Sequence, residues 1–402
     1  MADFIVLATA DWDHPLWTNK QHTAQSLVEA GHRVLYVESL GIRAPRVGSA
    51  DRTRILRRLR RMVQLPRQRL NGLWVWSPPV LPGGHSGIGL QLNRCLLRTG
   101  LWLAVRWLRL KRPILWTYNP LTALYLDLNR FAGSVYHCVD RIQDQPGMPQ
   151  ARIERNEQQL AQQVNVLFTT SPQLQATHSR WHPGTRMFGN VADHRHFSQA
   201  RQSLPCPSVL QGTPRPRLVF MGAIDAYKLD LQLLHQLAVR HPEWRFVLIG
   251  PVGECDPSTD VSPLKACPNV QLVGAQAYDT LPAWLCHGDV ALLPLQINGY
   301  TRNMFPMKFF EYLSAGLPVV ATAIPALLAH GDVAWLCEPQ VEAFEQAIRA
   351  ALAGDGPSLE QRLARARTQT YQARTAAMLD VLRDKGLLPD GGREALAPVP
   401  GR

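Results

Sequence analysis

The chain has 402 residues, 46% of them hydrophobic and 18% charged, a composition that excludes an intrinsically disordered protein. Its 43 basic and 31 acidic residues give a net charge of +12, which favours anionic partners such as nucleotides, acidic lipid surfaces or nucleic acid. The seven cysteines include no C-x-x-C pair, so they indicate a reducing cytoplasm and not a disulfide scaffold.

Strand-like and helix-like patterns alternate along the first half, which predicts an α/β domain with a parallel sheet. The first residues read as a strand and not as a signal peptide, and no apolar run approaches the roughly 18–20 residues of a membrane span. A helix is predicted from Thr18 to Ala30, because Thr18 and Gln21 have capping-box spacing and Gly31 follows. The predicted strands are residues 4–9, 33–38, 73–76, 114–117, 134–139 and 164–169.

A proline-rich stretch, residues 199–216, interrupts this series and reads as a linker. A second series of strands follows it, so we predict two Rossmann-like domains, residues 1–198 and 217–372, that face a ligand-binding cleft. A helix over 373–388 and a disordered tail over 389–402 complete the prediction. The strands predicted in the second series are residues 217–221, 245–249, 270–273, 290–294, 318–321 and 333–337.

The segment 303–322 reads as a loop, a helix, a tight turn and a buried strand. Pro306 suits a first helical position, and Gly316 suits a helix C-cap. Lys308 and Glu311 are three residues apart near the helix N-terminus, so they share one face. An ammonium, a carboxylate and free helix N–H groups in one place suit a phosphate together with a sugar hydroxyl.

This segment resembles the nucleotide-sugar site of GT-B glycosyltransferases, especially those of glycosyltransferase family 4. The resemblance implies the GT-B fold, in which two Rossmann-like domains face a cleft and a C-terminal helix crosses back to the first domain. It also implies that Glu311 holds the ribose hydroxyls of a nucleotide-sugar donor. The family usually has a second glutamate at the place that Asn303 takes here, although relatives with a P-x-K-x-x-E-Y-L motif also lack it. We therefore expect Asn303, Lys308 and Glu311 in the donor site.

The second series opens with a strand that ends at Met221, followed by a turn at Gly222. Lys228 is predicted at the N-terminus of the next helix, which is an anion site by geometry and charge. The resemblance implies that Gly222 and Lys228 contact the donor pyrophosphate, although the arginine that usually follows the glycine is Ala223 here. Gly250 ends the next strand and is expected to mark close backbone packing beside the nucleotide base.

The run DWDHPLWTNKQH follows the first strand, where family 4 often has a glycine-rich loop. It resembles a run found in a subset of bacterial envelope-polysaccharide glycosyltransferases of the teichuronic-acid type. By that resemblance, its polar side chains line the acceptor side of the cleft. The expected acceptor-binding residues are Asp11, Asp13, His14, Asn19 and Lys20.

His137 and Asp140 lie at the end of a predicted strand and are expected to face the same cleft. By the resemblance, His137 orients the transferred sugar and Asp140 binds hydroxyls of the sugar or the acceptor, so both are catalytic candidates. Asn190 and Asp193 are weaker candidates in the same cleft. The implied reaction retains the anomeric configuration and needs no cofactor besides the donor substrate.

No metal site is expected. His178 and His182 have H-x-x-x-H spacing, but the residues between them lack the glutamate of a metalloprotease motif. Asp11 and Asp13 form a D-x-D pair, which holds a metal in the GT-A fold, whereas here it follows the first strand of a GT-B-like domain. Helix N-termini and lysines are therefore expected to neutralise the departing diphosphate.

A strongly basic segment precedes the third predicted strand. Residues 43–69 contain ten arginines and one acid, and 52–63 read as a basic amphipathic helix suited to an anionic bilayer. Residues 94–112 mix tryptophans and leucines with further basic residues. We expect a cytoplasmic protein held peripherally on the inner membrane face, where a lipid-linked acceptor would lie. The alternative is that both helices pack on the first domain with solvated arginines.

The leading hypothesis is a glycosyltransferase that moves a sugar from a nucleotide sugar to a lipid-linked or saccharide acceptor in cell-envelope or exopolysaccharide biosynthesis. A nucleotide-sugar epimerase of the same fold is an alternative, and so is a catalytically degenerate binding module, which Asn303 and Ala223 favour. A nucleic-acid binder would also explain the charge, but no stacking or groove-reading motif supports one.

Overall fold

A computed structural model of the chain describes residues 1–14, 17–41, 65–81 and 84–389. The predicted basic helix over 52–63 lies outside the described residues, and so does the predicted tail after residue 389. In the described ranges, no helix is both long enough and apolar enough to cross a membrane.

The N-terminal half is built on an eight-stranded sheet with the order β3-β4-β2-β1-β5-β6-β7-β8. All neighbours pair in parallel except β3, which is antiparallel to β4. Strand β3 was not predicted, because its RQRL sequence is exposed along its whole length and has no apolar pattern. The strands are β1 Asp3–Leu7, β2 Arg33–Val37, β3 Arg67–Leu70, β4 Leu73–Trp76, β5 Ile114–Thr117, β6 Gly133–Cys138, β7 Val166–Thr169 and β8 Arg186–Met187.

The C-terminal half contains a six-stranded sheet with the order β11-β10-β9-β12-β13-β14, in which every pair is parallel. Its central strands are buried on both faces, as their continuous apolar runs predict. The strands are β9 Arg217–Met221, β10 Arg245–Ile249, β11 Val270–Gly274, β12 Val290–Leu293, β13 Val319–Thr322 and β14 Trp335–Cys337.

Helices cover the sheets on both faces, as parallel β/α connections require. The predicted capping box of the first helix is present. The Thr18 side chain accepts from the Gln21 backbone N–H, and the Gln21 side chain accepts from the Thr18 backbone N–H. The α-helices are α1 Asn19–Glu29, α2 Gly87–Trp107, α3 Thr122–Tyr125, α4 Gln150–Gln163, α5 Pro172–His178, α6 His194–Phe197, α7 Leu231–Arg240, α8 Ser262–Lys265, α9 Leu281–Cys286, α10 Lys308–Ala315, α11 Val341–Ala353, α12 Leu359–Thr368 and α13 Tyr371–Asp384.

Helices α10 and α7 both start later than predicted. Helix α10 begins at Lys308, two residues after Pro306, and it ends at Gly316 in the left-handed conformation as predicted. Helix α7 begins at Leu231, because the Asp230 carboxylate accepts a bond from the Leu233 amide at 2.9 Å and caps it there. Lys228 therefore lies in the turn before the helix and not at its N-terminus.

The last helix returns to the N-terminal half, as the GT-B resemblance implies. The Thr370 hydroxyl caps α13 by accepting from the Ala373 amide at 3.1 Å, so the helix starts before the predicted residue 373. Met378, Leu379 and Leu382 of α13 belong to the core on one face of the N-terminal sheet. The helix therefore joins the two halves of the chain through packing as well as through the backbone.

Candidate active site between the two sheets

The first turn of α10 carries an ion pair. The Lys308 ammonium lies 2.9 Å from a carboxylate oxygen of Glu311, and the glutamate is buried while the lysine stays partly exposed. Phe309, Phe310 and Leu313 bury the apolar face of the same helix. The predicted i, i+3 pair is thus present, with its charges at the end of the helix where anions are favoured.

Helix α10 is fixed to the end of strand β9. The backbone N–H of Met221 donates to the Tyr312 hydroxyl at 2.7 Å, and both groups are buried. Because Gly222 follows Met221 directly, this bond places the Lys308–Glu311 turn at the carboxyl edge of the sheet. Ligands of open parallel α/β sheets bind at that edge.

Two glycine turns meet beside this helix. Gly222 and Gly250 have φ of +152° and +150°, which side chains of L-residues rarely adopt. The Gly222 N–H donates to the Ile249 carbonyl at 2.8 Å, and a Cβ on Gly250 would lie 1.9 Å from the Gly222 carbonyl oxygen. The predicted close backbone packing at Gly250 is therefore present, and its contact is the Gly222 turn.

Lys228 is paired within its own turn. Its ammonium lies 3.1 Å from the Asp225 carboxylate, which is fully buried. The other Asp225 oxygen accepts from the backbone N–H groups of Cys255 and Asp256 at 3.0 and 3.1 Å. Asp225 therefore ties the turn after β9 to the loop after β10 and holds the Lys228 charge at the sheet edge. The sequence reading missed Asp225, although its position three residues before a lysine is a readable signal.

Asn303 lies in the loop before α10, and its groups bond within the protein. Its side-chain amide donates to the Gly299 carbonyl at 2.7 Å, and its own carbonyl accepts from the Ser171 hydroxyl of the N-terminal half at 2.6 Å. The residue that replaces the usual glutamate thus shapes the loop and links it to the other half of the chain.

Asp140 lies at the carboxyl end of β6, in the crevice between the two halves. Burial raises the pKa of Asp140, and the ammonium groups of Lys20 and Lys228 and the Tyr300 hydroxyl partly offset that rise. Burial also lowers the pKa of Lys20, against the attraction of Asp140. Lys20 belongs to the N-terminal half and Lys228 to the C-terminal half, so cations from both halves of the chain attract the Asp140 carboxylate.

His137 is fully buried in an aromatic cluster. Its ring was predicted to face the cleft, and it does not. Its centroid lies 4.9 Å from the Tyr118 ring and 5.9 Å from that of Trp116. Burial lowers the pKa of His137 well below its usual value, and the charges of Arg374 and Lys20 act in the same direction. Neither ring nitrogen has a hydrogen-bond partner among the described residues. Buried polar groups without partners are rare and call for an explanation, so the neutral ring stays a catalytic candidate.

The polar run after β1 spreads over several contacts. Asp13 pairs with Arg69 of β3 at 2.8 Å, at the exposed rim. His14 lies 3.2 Å from Glu254, so it contacts the loop after β10 in the other half. The backbone carbonyl of Asp11 accepts from the Gln21 side chain at 3.0 Å. These contacts place Asp13 outside the cleft centre and His14 at its mouth.

Asn19, Asn190 and Asp193 serve contacts between elements. The Asn19 amide bonds both Asn190 at 2.9 Å and Arg374 at 2.8 Å. Asp193 accepts from the His196 amide at 3.1 Å and caps α6. Arg374 was missed by the sequence reading, because an arginine in a charged C-terminal helix looks like a solvated side chain.

Cys138, Glu157 and His178 are the described residues whose side chains combine metal-ligand types at metal-ligand spacing. His182 is not part of this group. The Glu157 carboxylate lies 3.1 Å from His178 and accepts from Tyr136 at 2.6 Å. Burial alone would raise the pKa of Glu157. Its hydrogen bonds, including the one from His178, outweigh that effect, so the pKa is lowered. The group forms a buried hydrogen-bonded network that includes Cys138, the last residue of β6.

The C-terminal half is similar to known glycosyltransferases. Residues 215–364 match the family model described as "Glycosyl transferases group 1". TuaH of Bacillus subtilis (strain 168), whose name assigns it to teichuronic acid biosynthesis as a glycosyltransferase, is 34% identical over 139 residues. That match covers 34% of this chain and 34% of TuaH, so it spans about one third of the length of the relative.

Solved structures match almost the whole chain. Sucrose-phosphate synthase from Thermosynechococcus elongatus has a TM-score of 0.69 at 16% identity, over 96% of this chain and 99% of that one. Anabaena HepE in complex with UDP has a TM-score of 0.64 at 13% identity, over 96% and 100% of the two chains. The chain therefore has the GT-B fold, and its residues 215–364 match the model of the group 1 glycosyl transferases.

Proposed function

We propose that the protein transfers a sugar from a nucleotide-sugar donor to a saccharide or lipid-linked acceptor in the assembly of an envelope polysaccharide. The Lys308–Glu311 pair carries this proposal, because it lies at the carboxyl edge of the matched domain. A carboxylate accepts hydrogen bonds from vicinal ribose hydroxyls, and an ammonium at a helix N-terminus stabilises a phosphate. The name of TuaH supports a polysaccharide product.

In the proposed reaction, the side chains stabilise a departing nucleoside diphosphate. Lys228 and Lys308 neutralise its developing charge, and the Gly222 turn lets the backbone approach it closely. Asp140 accepts hydrogen bonds from hydroxyls of the sugar or the acceptor. Attack from the face of the leaving phosphate, which takes the acceptor proton, retains the anomeric configuration without a carboxylate nucleophile.

We also propose that no metal is needed. Within the D-x-D pair after β1, the Asp13 carboxylate pairs with Arg69, and the Asp11 backbone carbonyl accepts a hydrogen bond from the Gln21 side chain. Cations from lysines lie where the diphosphate is proposed to bind. Full transfer activity in the presence of a chelator is the result that this part of the proposal requires.

Nucleotide binding tests the donor site. Calorimetric titration with UDP, GDP and ADP is expected to show binding of one nucleotide, with UDP tested first because HepE is seen with it. Glu311→Ala is expected to weaken that binding about 10- to 100-fold, since hydrogen bonds to a charged group contribute about 1.5–3 kcal/mol. Glu360→Ala removes an exposed glutamate from α12 and is expected to bind as the wild type does.

Three outcomes separate the alternatives. Binding of none of the three nucleotides to the wild type would overturn the donor site and favour a degenerate binding module. Conversion of a nucleotide sugar without any acceptor, followed by mass spectrometry and NMR of the product, would favour an epimerase. Sugar transfer that depends on an added lipid-linked or saccharide acceptor supports the proposed activity.

We propose further that the N-terminal half rests on the cytoplasmic face of an anionic membrane. One face of α2 exposes large apolar side chains: Ile88 is 89% exposed, Trp102 58%, Leu103 53% and Trp107 51%. The Arg106 guanidinium lies 5.3 Å from the Trp102 ring centroid, on the same exposed face. Tryptophan and arginine at an apolar surface suit a headgroup region. The ten arginines of 43–69 add charge to the same half of the chain.

Vesicle sedimentation checks this surface. The protein is expected to bind vesicles containing phosphatidylglycerol and to be released by high salt, since each basic residue near the surface contributes about 1 kcal/mol. The double variant Trp102→Ser with Trp107→Ser is expected to bind about tenfold more weakly. Val239→Ser with Leu328→Ser removes two similarly exposed apolar side chains from the C-terminal half and serves as the control. Equal loss in both double variants would argue against an α2 contact.

A further inference from the structure

A buried chain of hydrogen bonds runs from the last helix, α13, to the loop before α10. A guanidinium nitrogen of Arg374 donates to the Asn19 carbonyl oxygen at 2.8 Å, and the Asn19 amide donates to Asn190 at 2.9 Å. The Asn190 amide donates in turn to the backbone carbonyl of Phe305 at 2.6 Å. Arg374, Asn19 and Asn190 are each at most 5% exposed. We call these three side chains and the Phe305 carbonyl the interdomain relay.

The polarity of the relay is set at its arginine end. A guanidinium has donors only, so the Asn19 oxygen must face Arg374 and its amide must face Asn190. The same logic turns the Asn190 oxygen toward Asn19 and its amide toward Phe305. The last group must then be an acceptor, and the backbone carbonyl of Phe305 is one. Each amide orientation is thus determined by its neighbour.

Arg374 has no carboxylate partner among the described residues. Its second terminal nitrogen donates to the Thr23 hydroxyl at 3.2 Å, and its guanidinium carbon lies 4.9 Å from the Tyr371 ring centroid. A buried charge without a counter-ion lowers the stability of a protein. If Arg374 served packing alone, an apolar side chain at this position would stabilise the fold more. What Arg374 supplies instead is an obligatory donor at the start of the relay.

The relay links the two halves of the chain close to Lys20 and Lys308. Asn19 is next to Lys20 on the wall of the cleft, and Phe305 is three residues before Lys308. We propose, on the basis of the donor site proposed above, that Arg374, Asn19 and Asn190 are positioning residues that hold the Lys308–Glu311 turn of the C-terminal half in register with the N-terminal half. The relay fixes the loop, and the loop fixes the start of α10.

Hydrogen exchange on the unliganded protein tests this without any assumption about the reaction. Asn19→Asp keeps the acceptor for Arg374 and removes the donor to Asn190, with almost no change of shape. Asn190→Asp removes the donor to Phe305 in the same way. Both variants are expected to speed amide exchange about tenfold or more in α10, because local opening of the helix becomes easier.

Two control variants make the result specific. Arg374→Lys keeps a donor at the head of the relay and is expected to restore most of the protection that Arg374→Met loses. Asn156→Asp changes another buried asparagine, whose side chain donates to the Arg152 carbonyl of its own helix, and is expected to leave α10 unchanged. Exchange in α10 that is unchanged, or raised equally across both halves, in the Asn19 and Asn190 variants would overturn the proposal. Because no nucleotide is present, a failure of the donor site leaves this test intact.

Discussion

Replacing Asp140 by asparagine is expected to lower the rate of sugar transfer about 10²- to 10⁴-fold, the usual range for a hydrogen-bonding or proton-transferring group at a reacting centre. Lys20 of the N-terminal half and Lys228 of the C-terminal half both attract the Asp140 carboxylate, which we propose contacts the transferred sugar or the acceptor. Nucleotide affinity is expected to change far less than the rate, because Asp140 is not among the proposed nucleotide contacts. Initial rates with saturating donor, together with calorimetry of the nucleotide, measure the two effects separately.

The pH profile distinguishes a role in the reaction from a role in stability. Burial raises the pKa of Asp140, so its ionised form is lost at a higher pH than that of a free aspartate when the pH falls. Activity that needs the carboxylate is therefore expected to decline on the acid side through that raised pKa. Asp140→Asn is expected to lack this acid limb. Asp127→Asn, an exposed carboxylate of the same half, is the control, and an equal rate loss there would contradict the assignment.

Much of the fold was predictable because buried parallel strands leave a strong mark in the sequence. Strands β5, β9 and β10 are apolar runs bounded by turn residues, and the structure has them at the predicted residues. Strand β3 has no apolar run in its sequence. It is a strand because its backbone pairs with β4, and its side chains do not indicate this. The start of α7 was misplaced because Asp230, a readable N-cap, was passed over in favour of the basic Lys228.

The candidate site was predictable only where it is local in sequence. Lys308 and Glu311 are three residues apart, so helical spacing brings them together. The contact of Arg374 with Asn19 joins residues 355 positions apart, and no local pattern announces it. His137 was expected to face the cleft because of its strand position, but the aromatic side chains that cover it come from neighbouring strands. The packing of side chains across the sheet determines whether His137 is buried, and the sequence of one strand does not contain that information.

Gly250→Ala is expected to lower the free energy of unfolding by about 4 kcal/mol and to abolish nucleotide binding. The backbone at Gly250 has φ of +150°, and an added Cβ would lie 1.9 Å from the Gly222 carbonyl oxygen, a backbone atom that cannot move without opening the turn. Gly274→Ala is the matched control, because φ there is +79° and no atom lies within 4 Å of the added Cβ. It is expected to cost about 1 kcal/mol of backbone strain. Thermal and denaturant unfolding of both variants, followed by nucleotide calorimetry, measure the difference, and equal destabilisation would show that the contact between the two turns has little weight.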